Sequence, residues 1–385
     1  MRCDKDTPVT MADGTMLRVD VYRPAGPGPF PVILSAHPYG KDRLPRLRRD
    51  RYRPVGQYRT FRHPERIEFS AWTGWEAPDP AFWVPRGYAV VNADLRGFGA
   101  SQGVGAPFSD KEAQDCCELV EWAGTQPWST GRVGLDGVSY LAIVQYKVAA
   151  MKPAHLAAIC PWEGLSDLYR DFARPGGIAE SGFMRIWSTG MRHAGRVGID
   201  IRAQQEQRPL IDDWWRSLCP DLERIEVPAL VCASFSDHSL HSRGSFEAFR
   251  RIGSRHKWLY THRGGKWSTY YGPRPPRRGP ASSTGPQRAG QRPGHHAPRP
   301  ARDPRPGQRG PCGTPRLRLP AAGDGVAQAV TGRRHRPAHR PAGARCGERR
   351  VRRARPGRLL RLGLPGGHCA PRAHGAAPSR RGARR

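Results

Sequence analysis

A short apolar segment that ends in a sharp turn and runs into a helix lies near the middle of this chain, at residues 132–150. Gly137 precedes Ser139 by two positions, and a side chain at 137 would collide with the helix that follows. A strand–turn–helix unit of this kind holds a serine hydroxyl exposed above the carboxyl end of a parallel sheet. The sequence therefore predicts Ser139 as a nucleophile. Leu141 and Ala142 stand where small residues are expected, so a helix that merely starts near a serine remains an alternative.

Apolar runs typical of buried strands alternate with helical patterns on both sides of this turn. Alternation of strand and helix indicates an α/β fold with a mostly parallel sheet. Ser109 and Glu112 form a capping box that predicts the start of one helix. The predicted strands are residues 15–22, 31–36, 87–93, 132–136, 156–160, 227–235 and 257–261.

The segment 161–225 is rich in Trp and Phe and reads as short helices inserted between two strands. We predict that it forms a helical cap. Such an insertion can close over a site as a lid. Its aromatic side chains could instead serve core packing, but we favour the lid.

Composition changes abruptly at Pro273. Residues 273–385 contain 28 Arg, no Lys, and only three acidic residues, so they carry +25 of the net charge of +31. They contain no Phe, Trp, Tyr, Ile, Met, Lys or Asn, and no run able to bury a core. We therefore predict a catalytic domain at 1–272 and a disordered tail rich in Arg, Pro, Gly and Ala at 273–385.

Nine cysteines show no Cys-x-x-Cys pair and no spacing typical of a disulfide framework. Residues 1–13 are polar and lack the apolar core of a signal peptide, and no apolar run approaches the length of a membrane span. These features predict free thiols and a cytoplasmic protein without membrane contact.

Two segments could suggest nucleotides or nucleic acid. Residues 43–70 interleave Arg with aromatics, but acids and prolines interrupt them, which favours a solvated excursion. The glycine-rich turn at 94–101 has neither the Gly-x-Gly-x-x-Gly nor the Walker spacing, so a phosphate cradle is disfavoured.

A serine nucleophile needs a histidine base and a carboxylate that orients it, in the chain order Ser, acid, His, each after a strand. Asp237 and His262 satisfy these conditions. His238, His241 and His256 are rivals, but the first two lie too close to Asp237 to come from another loop. The backbone N–H of Tyr140 and the hydroxyl of Tyr39 are the predicted oxyanion donors.

Several motifs in combination resemble the CocE/NonD hydrolases, which are related to X-Pro dipeptidyl peptidases. The resemblance covers about residues 7–271. It implies an α/β-hydrolase fold, the triad Ser139, Asp237 and His262, an oxyanion hole of Tyr39 and Tyr140, and acyl ester or amide substrates. The motifs are Asp13-Gly14, Asp20-Val21-Tyr22-Arg23-Pro24, Pro38-Tyr39-Gly40-Lys41, Asp94 to Gly103, Gln126-Pro127-Trp128-Ser129 and Gly137-Val138-Ser139-Tyr140-Leu141.

Members of that family continue with a β-rich jelly-roll domain, and here the Arg-rich tail stands in its place. GC-rich codons specify the four residues that dominate the tail, which suggests a shifted reading frame starting near Tyr271. The sequence thus predicts a serine ester or amide hydrolase with a small-molecule substrate, no cofactor and no metal. The alternatives are a nucleic-acid-binding protein acting non-specifically through the basic tail, or an inactive frameshifted product.

Overall fold

A computed structural model describes residues 1–48, 51–53, 67–238 and 240–272. The predictions for the tail at 273–385, including nucleic-acid binding and the frameshift, lie outside these residues. So does most of the 43–70 excursion. None of the helices in the described ranges is long and apolar enough to cross a membrane.

An eight-stranded sheet forms the centre of the molecule. Its strands are β1 (Arg2–Thr10), β2 (Met16–Arg23), β3 (Phe30–His37), β6 (Ala89–Asp94), β7 (Ser129–Val138), β8 (Leu156–Trp162), β9 (Ala229–Ser234) and β10 (Lys257–His262). A separate hairpin is made of β4 (Arg46–Arg48) and β5 (Arg51–Arg53).

The order across the sheet is β1-β2-β6-β3-β7-β8-β9-β10. The first two strands form an antiparallel hairpin closed by a turn at Asp13-Gly14, where the Gly14 N–H donates to the Met11 carbonyl at 2.8 Å. From β6 to β10 all neighbouring strands are parallel. Their carboxyl ends therefore lie along one edge of the sheet, the edge at which such folds bind ligands.

Eight α-helices accompany the strands in the described residues. They are α1 (Pro80–Trp83), α2 (Asp110–Gly124), α3 (Tyr140–Met151), α4 (Phe183–Ala194), α5 (Ile201–Gln207), α6 (Asp213–Ser217), α7 (Ser242–Arg251) and α8 (Lys266–Tyr270). The predicted helix start is confirmed at α2, where the Ser109 hydroxyl accepts the Glu112 N–H at 3.3 Å. The reciprocal bond of a capping box is replaced, because the Glu112 side chain accepts the Phe108 N–H and the Ser109 N–H donates to the Ala106 carbonyl.

The α/β-hydrolase fold with a helical insertion is confirmed. Between β8 and β9 the chain forms α4, α5, α6 and shorter helical turns. Phe172, Trp187 and Trp215 of this insertion are buried, and Trp187 stacks on Phe108 at 5.8 Å between ring centroids. The insertion thus packs its aromatic residues onto the body of the domain.

The glycine-rich turn after β6 encloses a carboxylate of the chain itself. Asp94 accepts the backbone N–H of Lys41 at 2.6 Å and that of Ala100 at 2.9 Å. A Cβ at Gly99 would lie 2.1 Å from the Asp94 carboxylate. A carboxylate fills the place that a phosphate would need, which agrees with the spacing argument against a phosphate cradle.

Candidate active site

The turn between β7 and α3 holds Ser139 in a backbone conformation that non-glycine residues seldom adopt, with φ 61° and ψ −115°. The Ser139 N–H donates to the Trp162 carbonyl at 2.9 Å, and the Ser139 carbonyl accepts from Ala142 and Ile143. Such strain persists only where surrounding bonds fix it, and it is concentrated at functional positions. The half-buried Ser139 side chain is therefore held at the carboxyl edge of the sheet.

Gly137 is required by close packing against the helix, as the sequence predicts. A Cβ at this position would lie 2.6 Å from Cβ of Leu141 in α3. Gly137→Ala is expected to destabilise the fold by about 2 kcal/mol, because the helix must shift to admit the methyl group. Urea unfolding followed by circular dichroism measures this loss.

Gly190→Ala provides the matched control, since a Cβ at that exposed position of α4 meets no atom within 4 Å. It should be neutral or stabilising by up to about 1 kcal/mol. Equal stability of the two variants would contradict the packing role of Gly137.

His241 is the histidine that contacts the serine. Its Nε2 lies 3.1 Å from Oγ of Ser139, and its Nδ1 lies 2.6 Å from Oδ2 of Asp237. The His241 side chain is 1% exposed. Asp237 and His241 share one turn that leads into α7, where the Asp237 carbonyl accepts the His241 N–H at 3.1 Å. The three side chains thus form a chain of contacts from serine to imidazole to carboxylate.

His262 has other partners than the predicted ones. Its Nδ1 lies 3.1 Å from both the Gly264 carbonyl and the Thr269 hydroxyl, and its Nε2 lies 3.0 Å from Oε1 of Glu163. The prediction rejected His241 because that residue is only four positions from Asp237. The turn before α7 brings these two side chains together, which is the physical reason for the difference.

Charges around Asp237 favour its ionised form. Burial raises the pKa of Asp237, but His241 and Lys266 together lower it by more than burial raises it. The net pKa of Asp237 therefore lies well below its usual range. Nζ of Lys266 lies 3.4 Å from Oδ2 of Asp237. Burial lowers the pKa of Lys266, and Asp237, Glu76 and Glu163 raise it to above its usual value. Lys266 therefore remains a cation beside the carboxylates.

Two buried glutamates near the site were missed by sequence reasoning, and both have left-handed backbones. Glu76 has φ 64° and Glu163 has φ 50°. The Glu76 side chain accepts the Trp267 indole N–H at 2.9 Å. Burial raises the pKa of Glu76 to about 7. Positive φ at a glutamate has no local sequence signal, so only the tertiary structure reveals them.

The two residues predicted to form the oxyanion hole, Tyr39 and Tyr140, contact each other through their aromatic rings. The Tyr39 and Tyr140 rings are 6.3 Å apart between centroids in an edge-on arrangement. Tyr140 is the first residue of α3, so its N–H has no acceptor within the helix. Burial raises the pKa of Tyr39, so its hydroxyl stays protonated and able to donate. The Tyr39 loop is fixed by Lys41, whose Nζ contacts Asp6 and Asp42 at 2.6 Å each.

The Tyr140 hydroxyl is tied to a buried carboxylate. It donates to Oε2 of Glu112 at 2.7 Å, and the Phe108 N–H donates to Oε1 at 3.1 Å. Burial raises the pKa of Glu112 to about 7, while the Tyr140 hydrogen bond acts in the opposite direction. Glu112 thus lies directly behind the turn that carries the serine.

Glu112 should make stability depend on pH. Because its folded pKa exceeds its unfolded value, its contribution is fully present below about pH 4.5 and is lost as pH rises through about 7. Glu112→Gln should therefore raise the free energy of unfolding at pH 8.5 by about 1 to 3 kcal/mol, with little change at pH 5. Urea unfolding at the two pH values measures it, with the exposed Glu206→Gln as control. An equal effect at both pH values would contradict the assignment.

Among the described residues, one group of carboxylate and imidazole donors comes close enough to hold a metal ion: Glu163, Asp237 and His241. One ligand atom of each lies within 4.8 Å of those of the other two. Two of the three, Asp237 and His241, also belong to the chain of contacts that starts at Ser139.

Comparisons with known proteins find similar hydrolases. A family model described as X-Pro dipeptidyl-peptidase (S15 family) matches residues 13–198. Cocaine esterase from Rhodococcus sp. (strain MB1 Bresler) is 35% identical over 181 residues, which are 47% of this chain and 27% of that protein.

Solved structures give the same result. A CocE/NonD family hydrolase from Staphylococcus aureus is 43% identical with a TM-score of 0.64, covering 70% of this chain and 48% of the other. An alpha-amino acid ester hydrolase, 17% identical with a TM-score of 0.51 over 70% of this chain and 49% of the other, shares the fold.

This chain spans about a quarter of the length of the Rhodococcus esterase and about half that of the Staphylococcus hydrolase. Residues 13–198, which the family model matches, contain five of the eight strands of the sheet (β2, β3, β6, β7 and β8), the strained serine turn and the start of the insertion. Asp237, His241 and His262 lie after that range. Over about half its length or more, the chain is therefore similar to X-Pro dipeptidyl-peptidases (S15 family), to cocaine esterase and to a CocE/NonD family hydrolase.

Proposed function

We propose that this chain cleaves acyl ester or amide bonds of small molecules through an acyl-enzyme on Ser139. The observation that carries the proposal is a continuous chain of two contacts. Ser139 Oγ lies 3.1 Å from His241 Nε2, and His241 Nδ1 lies 2.6 Å from Asp237 Oδ2. In this proposal His241 is the general base and Asp237 the residue that orients it. The assignment of the base differs from the predicted His262.

The contacts suit acyl transfer because each group has one defined task. His241 Nε2 takes the Ser139 proton as Oγ attacks the substrate carbonyl carbon, and the ionised Asp237 accepts Nδ1–H and stabilises the imidazolium. His241 then donates that proton to the departing alcohol or amine. A water molecule, deprotonated by the same nitrogen, attacks the acyl-enzyme and releases the acid.

The oxyanion of the tetrahedral intermediate needs two donors. We propose the Tyr140 N–H, which has no acceptor within its helix, and the Tyr39 hydroxyl, which burial keeps protonated. Donors fixed before the reaction stabilise the developing charge without reorganisation. The anchoring of the Tyr39 loop through Lys41 supports this role.

His262 has a positioning role in this proposal. Its contacts with Glu163 and Thr269 place it among the groups that surround the triad. Substitution there should alter activity far less than substitution of His241.

Hydrolysis assays test the proposal. The full chain should release p-nitrophenol from p-nitrophenyl acetate or butyrate with an initial burst equal to the active-site concentration. X-Pro p-nitroanilides test whether the amide bonds suggested by the family are also cleaved. Absence of turnover on both substrate classes, by a protein shown to be folded, would contradict the proposed activity.

A further inference from the structure

We propose that a divalent ion of the zinc type binds beside Ser139, held by Glu163, Asp237 and His241, with His262 as a fourth donor. Metal binding rests on the geometry of these four residues alone. The consequence, reversible inhibition of hydrolysis, rests also on the proposed function.

The distances suit a small adjustment into coordination geometry. The three donor atoms of Glu163, Asp237 and His241 lie within 4.8 Å of one another. Zinc bonds of about 2.0–2.2 Å in a tetrahedral site put neighbouring donors roughly 3.5 Å apart. Movements of the donor atoms by about one ångström would therefore close the site around an ion.

Glu163 supplies the second observation, because its carboxylate is buried without hydrogen-bond partners. The side chain is 1% exposed, and neither oxygen makes a hydrogen bond among the described residues. Nε2 of His262 approaches Oε1 to 3.0 Å but lies outside hydrogen-bonding geometry, and it too makes no hydrogen bond there. Buried polar atoms of this kind call for a partner. A cation between the two groups would serve both.

The charge balance also favours a cation. The Asp237 and Glu163 carboxylates act on the ammonium group of Lys266, together with Glu76, whose pKa burial raises to about 7 and which adds a negative charge only above that pH. Lys266 lies 3.4 Å from Asp237, so it weakens metal binding without cancelling the negative charge. Two imidazoles among the donors select zinc-type ions over Mg²⁺ and Ca²⁺, which prefer oxygen ligands.

Coordination and catalysis compete for one side chain. A ring nitrogen of His241 that binds the metal through its lone pair breaks the arrangement in which Nδ1 donates to Asp237 and Nε2 accepts the Ser139 proton. The ion and the acyl transfer step therefore exclude each other. Removal of the metal by a chelator restores the free imidazole, since no covalent bond of the protein is changed.

Zinc titration of the catalytically inactive Ser139→Ala chain tests the site independently of activity. The full chain contains 14 His and nine Cys, so other sites can bind zinc. The test therefore compares the amount and the affinity of bound zinc between variants. In the Ser139→Ala background, Glu163→Gln should remove one bound zinc or weaken its affinity about tenfold or more. The exposed Glu206→Gln should leave the titration unchanged, and Mg²⁺ should not compete.

Co²⁺ titration gives a second measurement that does not depend on how well Glu163→Gln folds. Ser139→Ala should show a visible absorption band typical of a four-coordinate nitrogen and oxygen site, and His262→Gln should diminish it. Thermal unfolding without metal verifies that each variant is folded. Identical zinc and cobalt titrations in all folded variants, or equal competition by Mg²⁺, would overturn the metal site.

Inhibition is measured separately with the unsubstituted chain. Zinc should reduce p-nitrophenyl ester hydrolysis, EDTA should restore it, and Glu163→Gln should raise the inhibitory concentration about tenfold. If the chain binds zinc as described but hydrolyses no substrate, the proposed function fails and the metal site stands. If the chain hydrolyses esters but zinc neither binds as described nor inhibits hydrolysis, only the metal site is contradicted.

Discussion

His241→Ala is expected to lower kcat for p-nitrophenyl ester hydrolysis by a factor on the order of 10⁶, because members of such a triad act as a unit. Without the imidazole, Ser139 Oγ loses the side-chain hydrogen bond that the described residues give it, and with it the group proposed to take its proton. KM should change little, since the ring contacts the nucleophile. Steady-state kinetics at pH 8 measures both constants.

His262→Ala is the matched control for that experiment. It removes a buried imidazole from the same region, yet one whose contacts are Glu163, Gly264 and Thr269. We expect kcat to fall by no more than about tenfold. The reverse pattern, with His262→Ala inactive and His241→Ala active, would return the general base to the residue that the sequence favours.

Ser139→Ala should have an effect of the same order, about 10⁶ in kcat, and should abolish the initial burst. No acyl-enzyme can form without Oγ, so only the oxyanion donors and substrate binding would remain to accelerate hydrolysis. Stopped-flow absorbance detects the burst, and unfolding curves verify that the variant is folded.

Ser217→Ala serves as the control for the serine substitution. Ser217 is exposed in the insertion, and its hydroxyl donates to the Trp214 carbonyl at 2.8 Å. Full activity and a full burst are expected for it. A burst that survives in Ser139→Ala would exclude Ser139 as the nucleophile.

Local patterns predicted the elements that position the site. The predicted runs become strands of the sheet, the Ser109 cap begins α2, and Gly137 meets α3 as expected. Each of these features depends on residues close together in the chain or on a period that one sheet face imposes. For that reason they can be read without knowledge of the tertiary structure.

The histidine that contacts Ser139 could not be read in the same way. The sequence argument assigned each member of the triad to a different loop, which excluded His241 as a neighbour of Asp237. Instead, one turn, in which the His241 N–H donates to the Asp237 carbonyl, brings the two side chains together. The spacing of four residues at the start of a helix was the available signal.

The surrounding charges depend on contacts between distant segments. Glu76, Glu163 and Lys266 come from three separate parts of the chain, and the pKa of Lys266 depends on both glutamates and on Asp237. No periodicity or motif connects them. Their proximity to Asp237 therefore becomes visible only in the tertiary structure.

Covalent labelling with a fluorophosphonate, followed by peptide mass spectrometry, tests the central claim most directly. The account predicts an adduct on the peptide containing Ser139 in the unsubstituted chain and in His262→Ala, and at most a trace in His241→Ala. A rapidly formed Ser139 adduct in His241→Ala, or an adduct on a different serine, would contradict it.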